Sequence, residues 1–243
     1  MDYIYREQFR AAGNFLDRYN RLRPSAILDM MQQVATNQCR DLAMDWDTMA
    51  SKGLFWAVTR QHIQILSQPR PGSTITIETW PGITTRVAYP RSTVGYDENG
   101  NEFFRAISLW VLMDLNSRSL VLPKKSGIDF TGIARGGELP VPASLGPVKL
   151  AGSLNRRVVY SELDINGHMS NTRYLDWMAD LLPGSFHEGH PIREFTVSYL
   201  SEAREGEEIT LNYELSPEGT LRLEATEAKS GHRVFAVSAL YGG

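Results

Sequence analysis

The stretch LDINGHMSNTRYLDWM, Leu163 to Met178, places Asp164, Asn166 and His168 at alternate positions within five residues. An apolar series then follows at Tyr174, Leu175, Met178, Ala179 and Leu182. That spacing is helical. Ser170 or Asn171 is the expected N-cap and Pro183-Gly184 the expected stop, which would put His168 at the mouth of the helix. Unpaired N–H groups there can hold a developing oxyanion. An Asp-x-Asn-x-His run can also open a calcium loop, but the twelfth position of such a loop must be acidic and here it is Leu175. The expectation is therefore no metal. Without context, a capped turn explains the cluster as well as chemistry does.

Context comes from a repeat. At an offset of 147 residues LDRYNRLRPSAILDMM, from Leu16, falls on LDINGHMSNTRYLDWM, and five of the sixteen positions agree. Leu16, Asp17, Leu28, Asp29 and Met31 match Leu163, Asp164, Leu175, Asp176 and Met178. Two of the pairs lie on the apolar face of the helix, so the chain reads as a duplicated unit. Tyr19 and Arg21 stand where the second copy has Asn166 and His168. A purely structural turn has no reason to keep a histidine in one copy alone.

Two units of about 110 to 130 residues fit within 243 residues. A composition of 42% hydrophobic and 22% charged residues is that of a soluble globular protein. The net charge of −3 gives no general attraction to nucleic acid or to an anionic membrane. Cys39 is the single cysteine, so an intrachain disulfide framework is excluded and a reducing cytoplasm is the expected setting. MDYIYREQFRAAG lacks the apolar core of a signal peptide, and no stretch approaches eighteen uninterrupted apolar residues. Stable membrane insertion is not expected.

Along the chain, residues 3–10 suit a first strand. Ile27, Leu28, Met31, Val34, Ala35 and Leu42 predict a longer helix from Pro24, with Cys39 inside it as a small filler. Strand alternation follows from Leu54, Ser73, Val87 and Glu102, with a hairpin at Asn99-Gly100. Trp56, Trp80 and Trp110 on these strands are expected to cover a helix-packed face. From Pro123 to Gly152 glycine and proline interrupt every pattern, and Lys124 and Lys125 there read as solvated surface. The predicted division is an N-terminal unit over 1–122, a linker over 123–155 and a C-terminal unit over 156–243. The second unit repeats the order strand, helix, strands, in REFTVSYL, EEITLNYEL, TLRLEATEA and RVFAVSALY. His187 and His190 have metal-like spacing without further ligands and read as solvated loop residues.

A strand, a buried helix and an antiparallel sheet wrapped around it make the hot-dog arrangement. The fold class expected here is α+β, a tandem double hot-dog. DINGHMSNTRYLDWM resembles the Asp-x-Asn-x-His-x-x-Asn-x-x-Tyr signature of the acyl-acyl carrier protein thioesterases, the plant FatA and FatB enzymes and their bacterial relatives. WAVTR from Trp56, IETWP from Ile77 and Met113-Asp114 resemble the family's first-domain pattern, so the likeness runs along almost the whole chain. Carried over by position, Asp164, Asn166, His168 and Glu202 match the family's catalytic residues. The plant enzymes have a cysteine after that acid; here it is Ala203.

The resemblance implies hydrolysis of fatty acyl-acyl carrier protein thioesters without a cofactor. Glu202 would take a proton from the attacking water, a role that burial beside an apolar acyl tunnel would assist. Asn166, His168 and backbone N–H groups would place water and substrate, with Asp164 orienting the set. It implies the acyl chain in the N-terminal unit, between helix and sheet, and an acidic carrier protein as partner, with Arg156, Arg157, Arg173 and Arg193 as candidates for its docking. A monomer or homodimer is expected. The rival readings are a non-catalytic acyl-binding hot-dog protein, an acyl-CoA thioesterase, and a hot-dog dehydratase acting on the acyl β-carbon.

Overall fold

The computed structural model describes residues 3–242. The chain divides into two compact units, Met1–Pro142 and Ala143–Gly243.

In the first unit β1 (Tyr5–Arg10) leads through a turn into α1 (Pro24–Asp41) and α2 (Trp46–Ser51). Long strands follow as β2 (Leu54–Ile65), β3 (Thr74–Pro81), β4 (Tyr89–Tyr96) and β5 (Glu102–Asp114), then short β6 (Leu120–Val121) and α3 (Pro123–Ser126). The strands lie in the order β1-β3-β4-β5-β2, all neighbours antiparallel, with β6 on β5.

α1 begins with proline in its first turn, where the missing N–H costs nothing. It lies against β1 and β3 and buries Ile27, Leu28, Met31, Val34 and Ala35, the residues whose spacing predicted it. The predicted hairpin also forms. The Asp97 carboxylate accepts the amides of Asn99 at 2.9 Å and Asn101 at 2.8 Å, and Gly100 takes the left-handed φ of 82°. On β4, a side chain at Gly95 would run into the ring of Phe104 across the pair, which restricts this strand position to glycine.

Residues 127–142 were expected to be linker, yet they are fastened to the first unit. Phe130 is buried in a cluster with Met49, Tyr89 and Leu112. Its amide donates to Thr84 Oγ1 at 2.7 Å, and its carbonyl accepts the Thr84 amide at 3.1 Å. Farther on, Arg135 pairs with the buried carboxylate of Glu78, and the Arg60 guanidinium donates to the Pro142 carbonyl at 2.7 Å. The tryptophans serve these coverings. Trp56 and Trp110 pack on the Phe130 cluster, and Trp80 lies under the Arg135 guanidinium at 5.1 Å. The helix-packed face expected for them is thus largely a face packed by α2 and this strap.

The second unit contains β7 (Gly152–Arg157), α4 (Arg173–Ala179), α5 (Gly184–Gly189), β8 (Ile192–Tyr199), β9 (Glu208–Leu215), β10 (Thr220–Glu227) and β11 (Arg233–Tyr241). Its strands lie in the order β7-β9-β10-β11-β8, again antiparallel throughout. Counting from each unit's first strand, this is the first unit's order repeated, so the duplication holds at the level of topology.

The helices differ between copies. The expected helix running to Leu182 ends at Ala179: the amides of Leu181 and Leu182 reach back only three residues, to Met178 and Ala179, at 3.3 Å each. Such tightened bonds close a helix, and a residue before proline disfavours the helical backbone. Pro183 then precedes α5 instead of ending one long helix. His187 and His190 belong to α5 and its end, not to a solvated loop. His187 Nε2 lies 3.0 Å from the Ala179 carbonyl, and His190 stacks on Phe186 with ring centroids 4.3 Å apart.

Candidate active site

The motif turn forms because one carboxylate can serve two amides. Asp164 accepts the amide of Asn166 at 2.8 Å and that of His168 at 3.4 Å. Its own amide donates to the His168 carbonyl at 2.8 Å, and the Gly167 amide returns to the Asp164 carbonyl at 3.0 Å. Gly167, with φ 73°, makes the left-handed step that closes the loop. Leu163 and Met169 pair across its base.

The first copy folds the same turn. Asp17 accepts the amides of Tyr19 at 2.8 Å and Arg21 at 2.9 Å, Leu16 pairs with Leu22, and Asn20 takes φ 60°. In that copy Arg21 lies over the Tyr19 ring at 5.4 Å, so the residues replacing Asn166 and His168 pack on each other.

His168 does not sit on a helix mouth as expected. α4 starts at Arg173, preceded by Thr172 in helical conformation with no side-chain cap, so neither Ser170 nor Asn171 is the cap. Instead the turn is laid against residues 202–204. The Met169 amide donates to the Ala203 carbonyl at 2.8 Å, and His168 bridges antiparallel to Arg204. This brings His168 Nε2 within 3.2 Å of Glu202 Oε2, across 34 residues of sequence. The histidine side chain is 16% exposed and the glutamate 43%. Glu202 is thus more open than a carboxylate buried beside a tunnel would be.

Asn166 Nδ2 donates to Asp164 Oδ2 at 3.3 Å, and Asn166 and Asp164 are exposed. The four expected residues are therefore gathered on one turn and the irregular segment after β8 beside it. The arrangement offers a carboxylate as proton acceptor, an imidazole in contact with it, and an amide side chain on the same turn as the imidazole. Ile165, between Asp164 and Asn166, is 94% exposed.

A brace fixes the turn's other end. Glu162 accepts the indole N–H of Trp177 on α4 at 2.6 Å with one oxygen and the Val159 amide at 3.0 Å with the other. The basic residues considered for docking are in part engaged. Arg156 pairs with Asp180 at 2.8 Å while its guanidinium lies over Trp177 at 4.9 Å, and Arg173 pairs with Asp176 at 2.9 Å. Arg157 lies by Gly206, and Arg193 by Gly242.

Sequence reasoning placed Tyr174 on the apolar face and missed its hydroxyl. Tyr174 is 2% exposed, and burial raises the pKa of its phenol. The repeat carried a signal for it, since the matching residue of the first copy is Ile27, buried without any polar group.

Among the described residues no cluster of His, Cys, Asp and Glu has the form of a metal site, and no helix is long and apolar enough to cross a membrane. Cys39 is part-buried on α1 beside Arg91; burial pushes its thiol pKa up.

Solved structures share this architecture over nearly the whole chain. An acyl-ACP thioesterase from Bacteroides thetaiotaomicron superposes with a TM-score of 0.87 at 23% identity, covering 98% of each chain. The 12:0-ACP thioesterase of Umbellularia californica gives 0.83 at 21% identity, covering 98% of this chain and 97% of that one. At such identities the likeness establishes the fold, a double hot-dog.

The family is set by sequence. Residues 2–124 match the acyl-ACP thioesterase N-terminal domain and residues 148–239 its C-terminal domain, so the chain belongs to the acyl-ACP thioesterase family. Relatives include a chloroplastic dodecanoyl-[acyl-carrier-protein] hydrolase from Cinnamomum camphora, 27% identical over 73% of this chain and 50% of that protein. Another is the chloroplastic oleoyl-acyl carrier protein thioesterase 1 of Arabidopsis thaliana, 24% identical over 94% of this chain and 68% of that protein. The chain spans about half to two thirds of the length of these relatives.

Proposed function

We propose that this chain hydrolyses fatty acyl-acyl carrier protein thioesters to free fatty acid and carrier, ending chain elongation. The observation that carries the reading is the contact of His168 Nε2 with Glu202 Oε2 at 3.2 Å beside the Asp164-braced turn, in a chain of this family. Glu202 accepts a proton from water as the water oxygen bonds to the thioester carbonyl carbon. The carbonyl π electrons move to oxygen, and the tetrahedral oxyanion is held by donors from Asn166 and His168. Collapse restores the carbonyl and breaks the carbon–sulfur bond; the proton held by Glu202 passes to the departing sulfur. Asp164 orients the set through the two amides it binds. No cofactor enters this scheme.

The acyl chain is assigned to the first unit, whose helix-and-sheet layer is apolar at Ile27, Val34, Ile75 and Ile77. The carrier is the assigned partner, with Arg157, beside Gly206, and Arg193, beside Gly242, the candidate docking cations. The test is release of free fatty acid from a ladder of acyl-carrier thioesters, with acyl-CoA run beside it, for wild type and Glu202→Gln. Wild type is expected to favour the carrier substrates. The amide variant should lose at least about a hundredfold in kcat with carrier affinity near normal, the scale of general-base assistance. Near wild-type hydrolysis by Glu202→Gln would remove that residue from the mechanism, and preference for acyl-CoA would remove the carrier.

A further inference from the structure

One end of the first unit's sheet carries apolar side chains that its core does not use. Trp56 on β2, Leu112 on β5 and Val121 on β6 face the Phe130 cluster. Their neighbours Phe55, Met113 and Leu120 pair across the same three strands and point to the opposite face. Trp46, the first residue of α2, meets the Phe55 ring with centroids 6.4 Å apart, and the Arg118 guanidinium lies over that ring at 4.4 Å. Phe55 is thereby buried, while Trp46 and Leu120 remain 45% and 46% exposed. Trp46, Phe55, Met113 and Leu120 form one continuous apolar strip.

Cations on fixed supports edge the strip. Arg118 takes a φ of 55°, where glycine or asparagine is the ordinary choice, and its amide donates to the Asp114 carbonyl at 3.0 Å. Past the exposed Leu122, α3 buries Pro123 and sets Ser126 Oγ 2.9 Å from the Tyr89 hydroxyl, which leaves Lys124 and Lys125 exposed on an anchored turn. The charge of the two units points the same way. Residues 143–243 hold nine Lys and Arg against fourteen Asp and Glu, whereas residues 1–142 hold sixteen against fourteen. An acidic partner is repelled by the total charge of the second unit and not by that of the first.

We propose that this strip, with Trp46 and Leu120 as its apolar anchors and Arg118, Lys124 and Lys125 as its rim, docks an acidic face of the carrier protein. The inference rests on the reading of carrier thioesters as the substrate, and it places the docking on the first unit. A half-exposed aromatic anchor supplies most of the affinity of such a contact, and rim charges set its on-rate and orientation. Symmetric pairing with a second copy of this chain would bring the same cations face to face. An anionic lipid surface is the competing occupant, disfavoured by the chain's net charge of −3.

The experiment compares wild type, Trp46→Ala, the double variant Lys124→Glu/Lys125→Glu and the double variant Arg157→Glu/Arg193→Glu. Each is assayed on an acyl-carrier thioester and on the N-acetylcysteamine thioester of the same acid, which has no carrier to dock. Trp46→Ala is expected to raise KM for the carrier substrate about fivefold or more, and the lysine reversal about fivefold to tenfold at low salt. In both, kcat should stay within about twofold and the small thioester should be hydrolysed as by wild type. The lysine effect should shrink as salt rises to about 0.5 M, whereas the tryptophan effect should persist. An unchanged KM for the carrier substrate in both strip variants, or an equal rise on the small thioester, would overturn the proposal. A rise confined to Arg157→Glu/Arg193→Glu would place docking on the second unit. With carrier KM unchanged, loss of binding to anionic phosphatidylglycerol vesicles in the strip variants would assign the strip to a lipid surface, and dissociation of a wild-type dimer by Trp46→Ala would assign it to a second copy. If wild type does not prefer the carrier substrate to the small thioester, the substrate reading fails and the docking falls with it. If wild type prefers it and the strip variants match wild type, the docking surface alone is wrong.

Discussion

Replacing Asp17 and Asp164 by alanine, one at a time, separates the two turns by purpose. The Asp17 carboxylate accepts two amides, at 2.8 and 2.9 Å, and Asp164 accepts its two at 2.8 and 3.4 Å. Alanine leaves those N–H groups to water on partly exposed turns, so the loss should be that of a capping residue, about 1 to 2 kcal/mol in either copy. For a chain of this size that corresponds to a fall in melting temperature of roughly 2 to 8 °C. The Asp164 substitution carries a second effect. His168 and Asn166 take their places from the same carboxylate, and loss of an orienting group behind a reacting side chain costs on the order of tenfold to a hundredfold in rate. The expected result is two similar melting shifts, with turnover falling only in Asp164→Ala. The assay is acyl-carrier thioester hydrolysis under saturating substrate, read beside thermal unfolding of the same preparations. Equal losses of turnover at unchanged stability would show that the two halves serve one site, and full turnover in Asp164→Ala would take the turn out of catalysis.

Thiol-blocking reagents should leave hydrolysis largely intact, because Cys39 is part-buried on α1, its thiol pKa is raised by burial, and Ala203 replaces the cysteine of the plant enzymes; complete loss in step with Cys39 alkylation, at unchanged circular dichroism, would contradict this. Glu227, held by the Ser230 hydroxyl and by the amides of Lys229 and Ser230, has its carboxyl pKa lowered from 4.5 to about 2. A carboxylate depressed in the folded state adds stability that is complete above its unfolded pKa and is lost as pH falls through the folded one. The melting-temperature gap between wild type and Glu227→Gln should therefore be widest above pH 4.5 and close toward pH 2, and a gap independent of pH would refute the assignment.

Much of the fold could be read from residue order because it is carried by local signals. β2, β3 and β5 follow the alternation that predicted them, α1 follows its apolar spacing from Pro24, and the Asp97–Asn101 turn follows its own hydrogen-bonding side chain. What escaped was set by contacts distant in sequence. The strap over the first unit depends on Arg135 meeting Glu78 and Phe130 meeting Tyr89, pairings with no periodicity to reveal them. α4 stops short because the chain before Pro183 tightens, although the apolar series continues through Leu182. At the site, the motif announced Asp164, Asn166 and His168 as one cluster. Glu202 was reached only through the family resemblance, since its approach to His168 rests on contacts distant in sequence, the Met169 amide on the Ala203 carbonyl and the bridge of His168 to Arg204.

The duplication supplies a control that few single turns have. Both copies make the same backbone bonds around an aspartate and a left-handed fourth residue, Asn20 in one and Gly167 in the other. The turn thus requires the aspartate and a residue tolerant of positive φ, and it leaves the intervening side chains free. Where chemistry makes no demand, those positions hold Arg18, Tyr19 and Arg21, with both guanidiniums lying over the one ring, at 5.3 and 5.4 Å. In the second copy they hold Ile165, Asn166 and His168, with Ile165 exposed and the imidazole against a carboxylate from another segment. Neither choice is dictated by the backbone, which is the same. An isoleucine left 94% exposed on a turn that folds equally well around an arginine gains nothing from folding, since exposed apolar surface contributes no burial. The side chains of the second turn are therefore not dictated by the turn that presents them, and the proposed hydrolysis is the demand that would select them.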